Sequence, residues 1–426
     1  MNEKLPDGFK MTELGPLPEE WEVVRLGDET YFKILPSGIK YFTGKKEYLS
    51  TSSVQEWKII KPECLIEYAN RPSRANMQPL INSVWFARMI GTTKVYSFAD
   101  NNREEVDKYI LSTGFCGILC KNTTIPEYIK FIFLSNYFNT TKDSLCSGTT
   151  QRAINNENIG TIQIPLPPLS EQKKIAAVLS AVQSAKEKTE AVIKAAKELK
   201  KSLMKHLFTY GPVSPQEAEK VPLKETEIGP VPEDWEVVRL GDVAENRKET
   251  VDPKKEDISY VGLEHITPGI IRLNNYGNSR DVKSLKSKFY KDDILYAKLR
   301  PYLDKGVLAE FEGICSTDII VIQLSKKLVN PQYVAYFVHT SKFLYFATKS
   351  MTGVNHPRTN WSILKTFKLP LPPLPIQQKI ASILSAIDAK IEAEENKKKA
   401  LEDLFKTLLH NLMTANIRVN QLEVTL

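Results

Sequence analysis

The chain has 426 residues, of which 42% are hydrophobic and 26% are charged, which suits a soluble protein of two or three domains. The net charge of +7 weakly favours an anionic partner. No run of 18 apolar residues and no apolar signal segment at the start are present, so we expect a cytoplasmic protein without a membrane span.

The first part of the chain, residues 1–165, mixes short β-rich runs with turns. Strands are predicted in WEVVRL, VWFARMIG and TKVYSF, which begin at Trp21, Val84 and Thr93. One amphipathic helix is predicted near residues 125–138. The segment PLPPLS then ends this pattern, because adjacent prolines cannot continue a strand or a helix interior. We assign residues 1–165 to a first globular domain.

A long helix is predicted in the next domain, residues 166–211, with Ser170 as its N-cap and its end near Phe208, before Gly211. Most of its polar middle is expected to face water. The predicted apolar seam has heptad spacing and consists of Ile175, Val178, Val182, Ala185, Val192, Ala196, Leu199 and Leu203. The polar middle consists of Lys188, Thr189 and Glu190.

The second half of the chain repeats the first. TELGPLPEEWEVVRLGD at 12–28 returns as TEIGPVPEDWEVVRLGD at 226–242. IPLPPLSEQKKIAAVLSAV at 164–182 returns as LPLPPLPIQQKIASILSAI at 369–387, an offset of 205 residues. Two long repeats in the same order indicate two copies of one module rather than a solenoid.

The second copy is predicted to consist of a globular domain, residues 212–370, and a helical domain, residues 371–426. Its helix is predicted over residues 376–412. The apolar seam consists of Ile380, Ile383, Ile387, Ile391, Leu401, Leu404, Leu408 and Leu412, and the polar middle of Glu394, Glu395 and Lys397.

These patterns predict a mixed α/β fold, with two duplicated globular domains separated by a pair of long antiparallel helices. The first helix leads into the second globular domain and the second helix leaves it, so paired helices must run in opposite directions. A helix of about 36 residues would be about 54 Å long. We expect pseudo-two-fold symmetry with a globular domain at each end, which suits duplex DNA because dimeric readers contact half-sites about one helical turn apart.

Motifs for catalysis or cofactor binding are missing from the sequence. No phosphate-binding GxxxxGK[ST] loop and no dinucleotide fingerprint is present. The five cysteines lack CxxC spacing, which predicts buried free thiols rather than a zinc site. Asp292, Asp293 and Lys298 are interpreted as a turn entering a strand rather than as nuclease residues. We therefore expect no catalytic residues, no metal and no cofactor.

The duplicated PLPPL helices and the duplicated WEVVRLGD segments resemble the specificity subunit of a type I restriction–modification system, and the resemblance covers essentially the whole chain. It implies that each globular domain is a target-recognition domain that reads one half of a split, asymmetric DNA site. It also implies that the helices space these domains and dock the modification subunits, and that restriction subunits join the larger complex. Methyl transfer and cleavage would then belong to the partners.

Two pairs of segments hold candidate DNA-binding residues. Residues 84–95 align loosely with 294–305, and loop 147–156 corresponds to loop 351–360. Arginine and lysine bind guanine edges or phosphates, whereas glutamine and asparagine can bind adenine. The candidates of the first domain are Arg88, Thr92, Thr93, Lys94, Gln151 and Arg152. Those of the second are Lys298, Arg300, Tyr302, Lys305, Asn355, His356 and Arg358.

Two other readings of the sequence stay open. One is a stand-alone DNA-binding regulator with two heads that acts without a methyltransferase partner. The other is a scaffold whose globular domains bind proteins. A steep loss of binding with rising salt would separate DNA binding from the scaffold, through counterion release. Co-purification with a methyltransferase would exclude the stand-alone regulator.

Overall fold

The computed structural model describes residues 5–121, 123–149, 151–253 and 257–419, apart from the side chain of Asn101. They form two compact units. The first unit contains the described residues up to Thr189 together with those from Lys397 onward, and the second contains Glu190–Asn396. The divisions fall within the two longest helices, α5 and α11, which span Leu169–Tyr210 and Leu374–Met413.

The globular part of the first unit alternates short strands with short helices. Its elements are β1 (Phe9–Thr12), β2 (Gly15–Pro18), β3 (Glu22–Arg25), β4 (Phe32–Ile34), β5 (Lys46–Leu49), β6 (Val54–Gln55), β7 (Lys58–Ile59), β8 (Cys64–Ile66), β9 (Ala75–Met77), β10 (Ser83–Ala87), β11 (Val95–Phe98), α1 (Glu105–Lys108), β12 (Tyr109–Ser112), β13 (Phe115–Cys120), α2 (Pro126–Leu134), α3 (Asn136–Ser144), α4 (Asn156–Thr161) and β14 (Gln163–Leu166).

The globular part of the second unit has the same kind of composition. Its elements are α6 (Pro215–Ala218), β15 (Leu223–Lys224), β16 (Val231–Pro232), β17 (Glu236–Arg239), α7 (Leu240–Val243), β18 (Ala244–Asn246), β19 (Thr250–Val251), β20 (Ser259–Val261), β21 (Gly277–Asn278), β22 (Lys286–Phe289), β23 (Ile294–Ala297), β24 (Gly306–Leu308), β25 (Gly313–Cys315), β26 (Ile319–Leu324), α8 (Pro331–Phe337), α9 (Ser341–Lys349), α10 (Trp361–Leu364) and β27 (Lys368–Leu371).

The sheets confirm the mixed α/β class and the duplication. The first unit has one sheet of order β11-β10-β13-β4 and another of order β8-β5-β12-β9. The second unit repeats them as β24-β23-β26-β18 and as β21-β20-β25-β22, with β19 added at the end. The pairs β5–β12 and β20–β25 are parallel, and the other pairs of these sheets are antiparallel. Shared strand order and direction indicate one topology built twice.

A two-stranded sheet closes each globular part where it meets its long helix. Strand β3 pairs with β14 so that Val24 faces Ile164, and β17 pairs with β27 so that Val238 faces Leu369. Trp21 and Trp235 precede β3 and β17 and are buried in the cores of their units. The repeated WEVVRL and PLPPL segments therefore build the same joint in both units.

A buried glutamine follows the proline segment in each unit. The Nε2 of Gln172 donates to the carbonyl oxygens of Pro167 and Thr123 at 2.9 and 3.0 Å, and its Oε1 accepts from the amide of Ile125 at 3.1 Å. Gln377 makes the same three kinds of bond to Pro372, Leu328 and Asn330. Each glutamine thus satisfies backbone groups that burial would otherwise leave without partners.

The two long helices run antiparallel where they pair within the second unit. Lys197 lies 2.7 Å from Glu395 and Lys200 lies 2.7 Å from Asp388, so residue numbers rise along α5 as they fall along α11. Each helix extends slightly beyond its predicted ends. The predicted N-cap Ser170 is wrong, because α5 begins at Leu169 and the carbonyl of Pro168 accepts its first amide bonds.

The strict heptad seam holds only in part. Val192, Leu199 and Leu404 of the predicted seam are between 41% and 49% exposed, whereas Lys186 and Ile193 are buried. A straight α-helix drifts by about 20° per heptad, so a seam drawn every seven residues moves off the buried face over 40 residues. In the polar middles, Lys188, Glu395 and Lys397 are exposed as expected. The expectation is wrong for Thr189 and Glu394, which are buried.

The single helix predicted near residues 125–138 is two helices. α2 ends at Leu134, and Ser135 adopts an extended conformation with φ of −67° and ψ of 150°. Its side chain accepts a hydrogen bond from the amide of Phe138 and caps α3. A local side-chain cap therefore ended a helix that apolar periodicity alone would have continued.

Among the cysteines, Cys64 is exposed, which corrects the prediction that all five are buried.

Candidate nucleic-acid interface

The two candidate segments of the first unit lie side by side. The turn after β10, residues 88–94, bonds to a hairpin whose described residues are 147–149 and 151–153. The amide of Ile90 donates to the carbonyl of Arg152, and the amide of Ile154 donates to the carbonyl of Arg88. Both distances are 3.1 Å. Ser147 and Ala153 close the hairpin with two backbone bonds, and Met89 forms a bridge to Ala153. Sequence-distant candidates thus form one loop pair.

The second unit builds the same loop pair from residues 298–305 and the hairpin 352–358. The amide of Arg300 donates to the carbonyl of Pro357, and the amide of Thr359 donates to the carbonyl of Lys298. Both distances are 2.9 Å. Thr352 and Arg358 close this hairpin. Each hairpin turns at a glycine of positive φ, +116° at Gly148 and +94° at Gly353, where a Cβ atom would be strained.

Several basic candidates hydrogen-bond through their side chains to backbone carbonyls of the protein itself. Arg88 donates from Nε to the carbonyl of Phe115 at 3.0 Å. The amine of Lys94 donates to the carbonyl of Thr51, and the amine of Lys305 donates to the carbonyl of Leu263. Both distances are 2.6 Å. Arg88 also reaches the carbonyl of Ile154, and Thr92 bonds the carbonyl of Met89. These bonds shape the loops and occupy part of the donors of each side chain.

A carboxylate holds the hairpin of the second unit. Asp318 accepts two hydrogen bonds from Arg358, at 2.9 Å from Nε and 3.2 Å from Nη2, and lies 4.0 Å from the amine of Lys298. The hydrogen bond from Arg358 holds the pKa of the Asp318 carboxyl below its ordinary value. A bidentate arginine–carboxylate pair fixes geometry as well as charge, so Arg358 is committed to the loop itself.

Other candidates remain exposed. In the part of the chain that the structure describes, the side chains of Thr93, Gln151, Arg300, Tyr302 and Asn355 have no protein hydrogen bond or ion pair. Arg300 stands in the left-handed region with φ of 50° and leads into a one-turn 3-10 helix, Pro301–Leu303. His356 is also exposed. Arg152 is exposed and makes one long bond, 3.4 Å, to the carbonyl of Cys146. These side chains can reach a ligand without breaking the fold.

Sequence reasoning missed the residues that support the loops from below. In the first unit the buried amine of Lys142 donates to the carbonyls of Thr92 at 2.5 Å and Met89 at 3.4 Å, and Asp143 accepts from the amide of Gly91 at 3.0 Å. Burial lowers the pKa of the Lys142 amine. The sequence signal for Lys142 is its place one turn after Phe138 on an apolar helix face.

The second unit uses a different support. Nδ1 of His339 lies 2.8 Å from Oδ1 of Asp304, and its Nε2 lies 2.9 Å from the carbonyl oxygen of Gly306. Asp304 ends the 3-10 turn that begins after Arg300, with φ of 53°. The histidine therefore fixes the end of the loop that presents Arg300 and Tyr302.

Asp293, which the sequence analysis assigned to a turn rather than to a nuclease site, is a structural ion-pair partner. It is buried and accepts two bonds from Arg247, at 2.9 and 3.2 Å. Across residues 5–419, with the gaps given above, no group of three or more histidine, cysteine or acidic side chains is arranged to hold a metal. Within the same residues, no helix is both long and apolar enough to cross a bilayer.

Two loop pairs on two copies of one α/β scaffold define a duplicated recognition protein. Residues 18–197 and 232–403 match the type I restriction modification DNA specificity domain. Since these matches cover most of the chain, the chain belongs to this family, and it is a DNA specificity subunit.

Individual relatives agree over nearly the whole length. The MjaVIII specificity subunit of a type I restriction enzyme from Methanocaldococcus jannaschii is 28% identical over 95% of this chain and 95% of that subunit. The EcoDI specificity subunit from Escherichia coli is 25% identical over 86% of this chain and 81% of its own. The crystal structure of a type I system S subunit from M. genitalium has 15% identity and a TM-score of 0.57 over 96% of this chain and 98% of that chain, which shows a shared fold.

Proposed function

We propose that the two loop pairs read the two halves of a split, asymmetric DNA site. One observation carries this proposal: the backbone of the loop pair is built twice with the same hydrogen bonds, but its exposed side chains differ. The first unit exposes Gln151 and Arg152, whereas the second exposes Arg300, Asn355 and His356. A common backbone can be positioned alike on DNA, while different donors and acceptors select different bases.

The proposal assigns target recognition to residues 1–165 and 212–370, and spacing and docking to residues 166–211 and 371–426. The helices would hold the recognition domains at a fixed separation and bind modification subunits, which would join restriction subunits in a larger complex. Methyl transfer and cleavage would then occur on those partners, and this chain would supply sequence selection without catalysis of its own.

Exchange of the recognition segments tests the split-site proposal. Because both segments end in the same β3–β14 type of joint, residues 12–164 and 226–369 should be exchangeable. Methylated sites mapped with the modification subunits present should show the two half-sites in exchanged order and an unchanged spacer. A site that stays the same after the exchange would contradict the proposal. DNA binding without any co-purifying methyltransferase would instead favour the stand-alone regulator.

Single substitutions test which candidates read bases. Arg300→Ala should relax the preference at one position of one half-site, since a bidentate arginine–guanine contact is worth about 1–3 kcal/mol. Gln151→Ala, in the hairpin of the first unit, should affect only the other half-site. Glu245→Ala is a control, because Glu245 is exposed on β18, away from both loops. Equal effects on both half-sites would contradict the assignment of one unit to each half.

A further inference from the structure

Arg74 lies outside both loops of the first unit, on the turn between β8 and β9, yet it packs beside them. Its side chain is exposed. A Cβ atom added to Gly114 would lie 3.3 Å from Nη2 of Arg74 and 3.0 Å from Cγ2 of Thr51. The carbonyl of Arg74 also accepts from the amide of Thr113 at 2.9 Å. The guanidinium therefore lies against the bare backbone of the turn between β12 and β13.

Two candidate cations meet the same patch. The backbone amide of Arg88 donates to the carbonyl of Gly114 at 2.9 Å, and its guanidinium bonds to the carbonyl of Phe115, the next residue, at 3.0 Å. The amine of Lys94 donates to the carbonyl of Thr51 at 2.6 Å. The side chains of Arg74, Lys94 and Arg88 thus lie at Gly114, Thr51 and Phe115, respectively, and we call these three basic residues the Gly114 cation cluster.

The Gly114 cation cluster has no carboxylate partner among the described residues. The hydrogen bonds of Arg88 and Lys94 go to backbone carbonyls, and Arg74 forms no ion pair in the described part of the chain. Carbonyl dipoles orient a cation but do not neutralise its charge. Three positive charges, on the exposed Arg74 and the half-buried Arg88 and Lys94, therefore create a positive potential that attracts an anion.

In the second unit, a carboxylate neutralises the basic side chains at the position that corresponds to Gly114. The carbonyl that receives the amide of Lys298 belongs to Asp318, just as Gly114 receives the amide of Arg88. The carboxylate of Asp318 then pairs with Arg358 and approaches Lys298. The first unit has Gly114 at this position, so its surface is open to an external anion. The second unit has Asp318, which supplies an anionic group of the protein itself.

We propose that the Gly114 cation cluster binds one backbone phosphate of duplex DNA and that Arg74 supplies its free donors. This inference rests on the proposed function, since it places the phosphate beside the loop pair of the first unit. Arg88 and Lys94 act through charge because their side chains also bond to the protein. Phosphate contacts fix the position of a protein on DNA and carry no base preference, so the cluster sets register rather than sequence.

Salt-dependent binding of the full chain to a mixed-sequence duplex tests the inference. Loss of one phosphate contact should reduce the slope of log affinity against log salt by about 0.9. Arg74→Gln should therefore bind more weakly at low salt with a shallower slope, and the methylated sequence should stay unchanged. Arg74→Lys should keep most of the slope. Arg103→Gln is the control for the loss of one charge, because Arg103 is a 73% exposed arginine of the same unit that already lies 3.9 Å from a carboxylate, that of Asp100.

Several outcomes would overturn the inference. An unchanged slope for Arg74→Gln, or an equal loss for Arg103→Gln, would show that Arg74 holds no phosphate. A thermal shift by millimolar inorganic phosphate that disappears in Arg74→Gln, together with an unchanged DNA slope, would assign the cluster to a free anion. If the unsubstituted chain binds no duplex even at low salt, the proposed function itself fails. Thermal midpoints should match in all variants, since Arg74 and Arg103 are exposed.

Discussion

The hydroxyl of Tyr128 donates to the carbonyl oxygen of Pro165 at 2.9 Å, which ties helix α2 to the proline strand β14. Both units contain this bond, because Tyr333 donates to Pro370 at 2.8 Å. Proline has no amide hydrogen to offer a strand partner, but its carbonyl still accepts. The proline segment is therefore held by a buried side chain as well as by its strand.

Tyr128→Phe and Tyr333→Phe should each destabilise the protein. Each change leaves a proline carbonyl without its tyrosine donor, a loss of about 1–2 kcal/mol. Urea unfolding of the two variants measures it, and the two values should be similar because the bond is duplicated. Tyr41→Phe and Tyr345→Phe are controls, since both rings are more than half exposed, at 74% and 65%. A control that costs as much as Tyr128→Phe would contradict this account.

Gln172→Leu and Gln377→Leu should cost more than the tyrosine changes. Each removes an amide that serves three backbone groups, so we expect a loss of about 2–4 kcal/mol. Thermal and urea unfolding would detect the loss. Gln55→Leu changes an exposed glutamine of β6 and should leave stability nearly unchanged. Full stability of both buried variants would show that water can replace these bonds.

The burial of residues along α11 predicts which substitutions destabilise the protein most. Ile380 is buried in the core of the second unit, whereas Ile387 is partly exposed. Ile380→Asp should destabilise the protein by about 4 kcal/mol or more, because a charge enters the core, and Ile387→Asp by about 1–2 kcal/mol. Chemical unfolding measures both. Ser382→Asp, at an exposed site of the same helix, serves as the control. The reverse order would contradict the packing described above.

The Asp318–Arg358 pair predicts an acid dependence of stability. The folded pKa of Asp318 is lowered, so its stabilising contribution is fully present above its ordinary pKa of 3.8 and is lost as pH falls through the lower folded value. Asp318→Asn should therefore be less stable than the unsubstituted protein at pH 7, and the difference should shrink as the pH is lowered below about 4. Unfolding midpoints measured across pH 2–7 would show a constant difference if the pair contributes no pH dependence.

The sequence by itself determined the duplication, the mixed α/β class, the two long helices and the segments that carry the candidate residues. These depend on patterns that the chain states locally. The repeated WEVVRL and PLPPL segments must build the same joint twice, and Gly211 ends α5 with a positive φ of +83°. The resemblance on these motifs was enough to indicate the DNA specificity family.

The tertiary structure decided which basic side chains stay free. Arg88, Lys94 and Arg358 were candidate readers, but they bond to Phe115, Thr51 and Asp318, respectively. Whether an arginine is free depends on carbonyls and carboxylates that lie far away in the sequence. The same holds for Trp57, whose indole donates to Glu187 at 3.0 Å across 130 residues. A short sequence pattern states which donors a residue has, whereas the folded chain alone brings the acceptors within hydrogen-bonding distance.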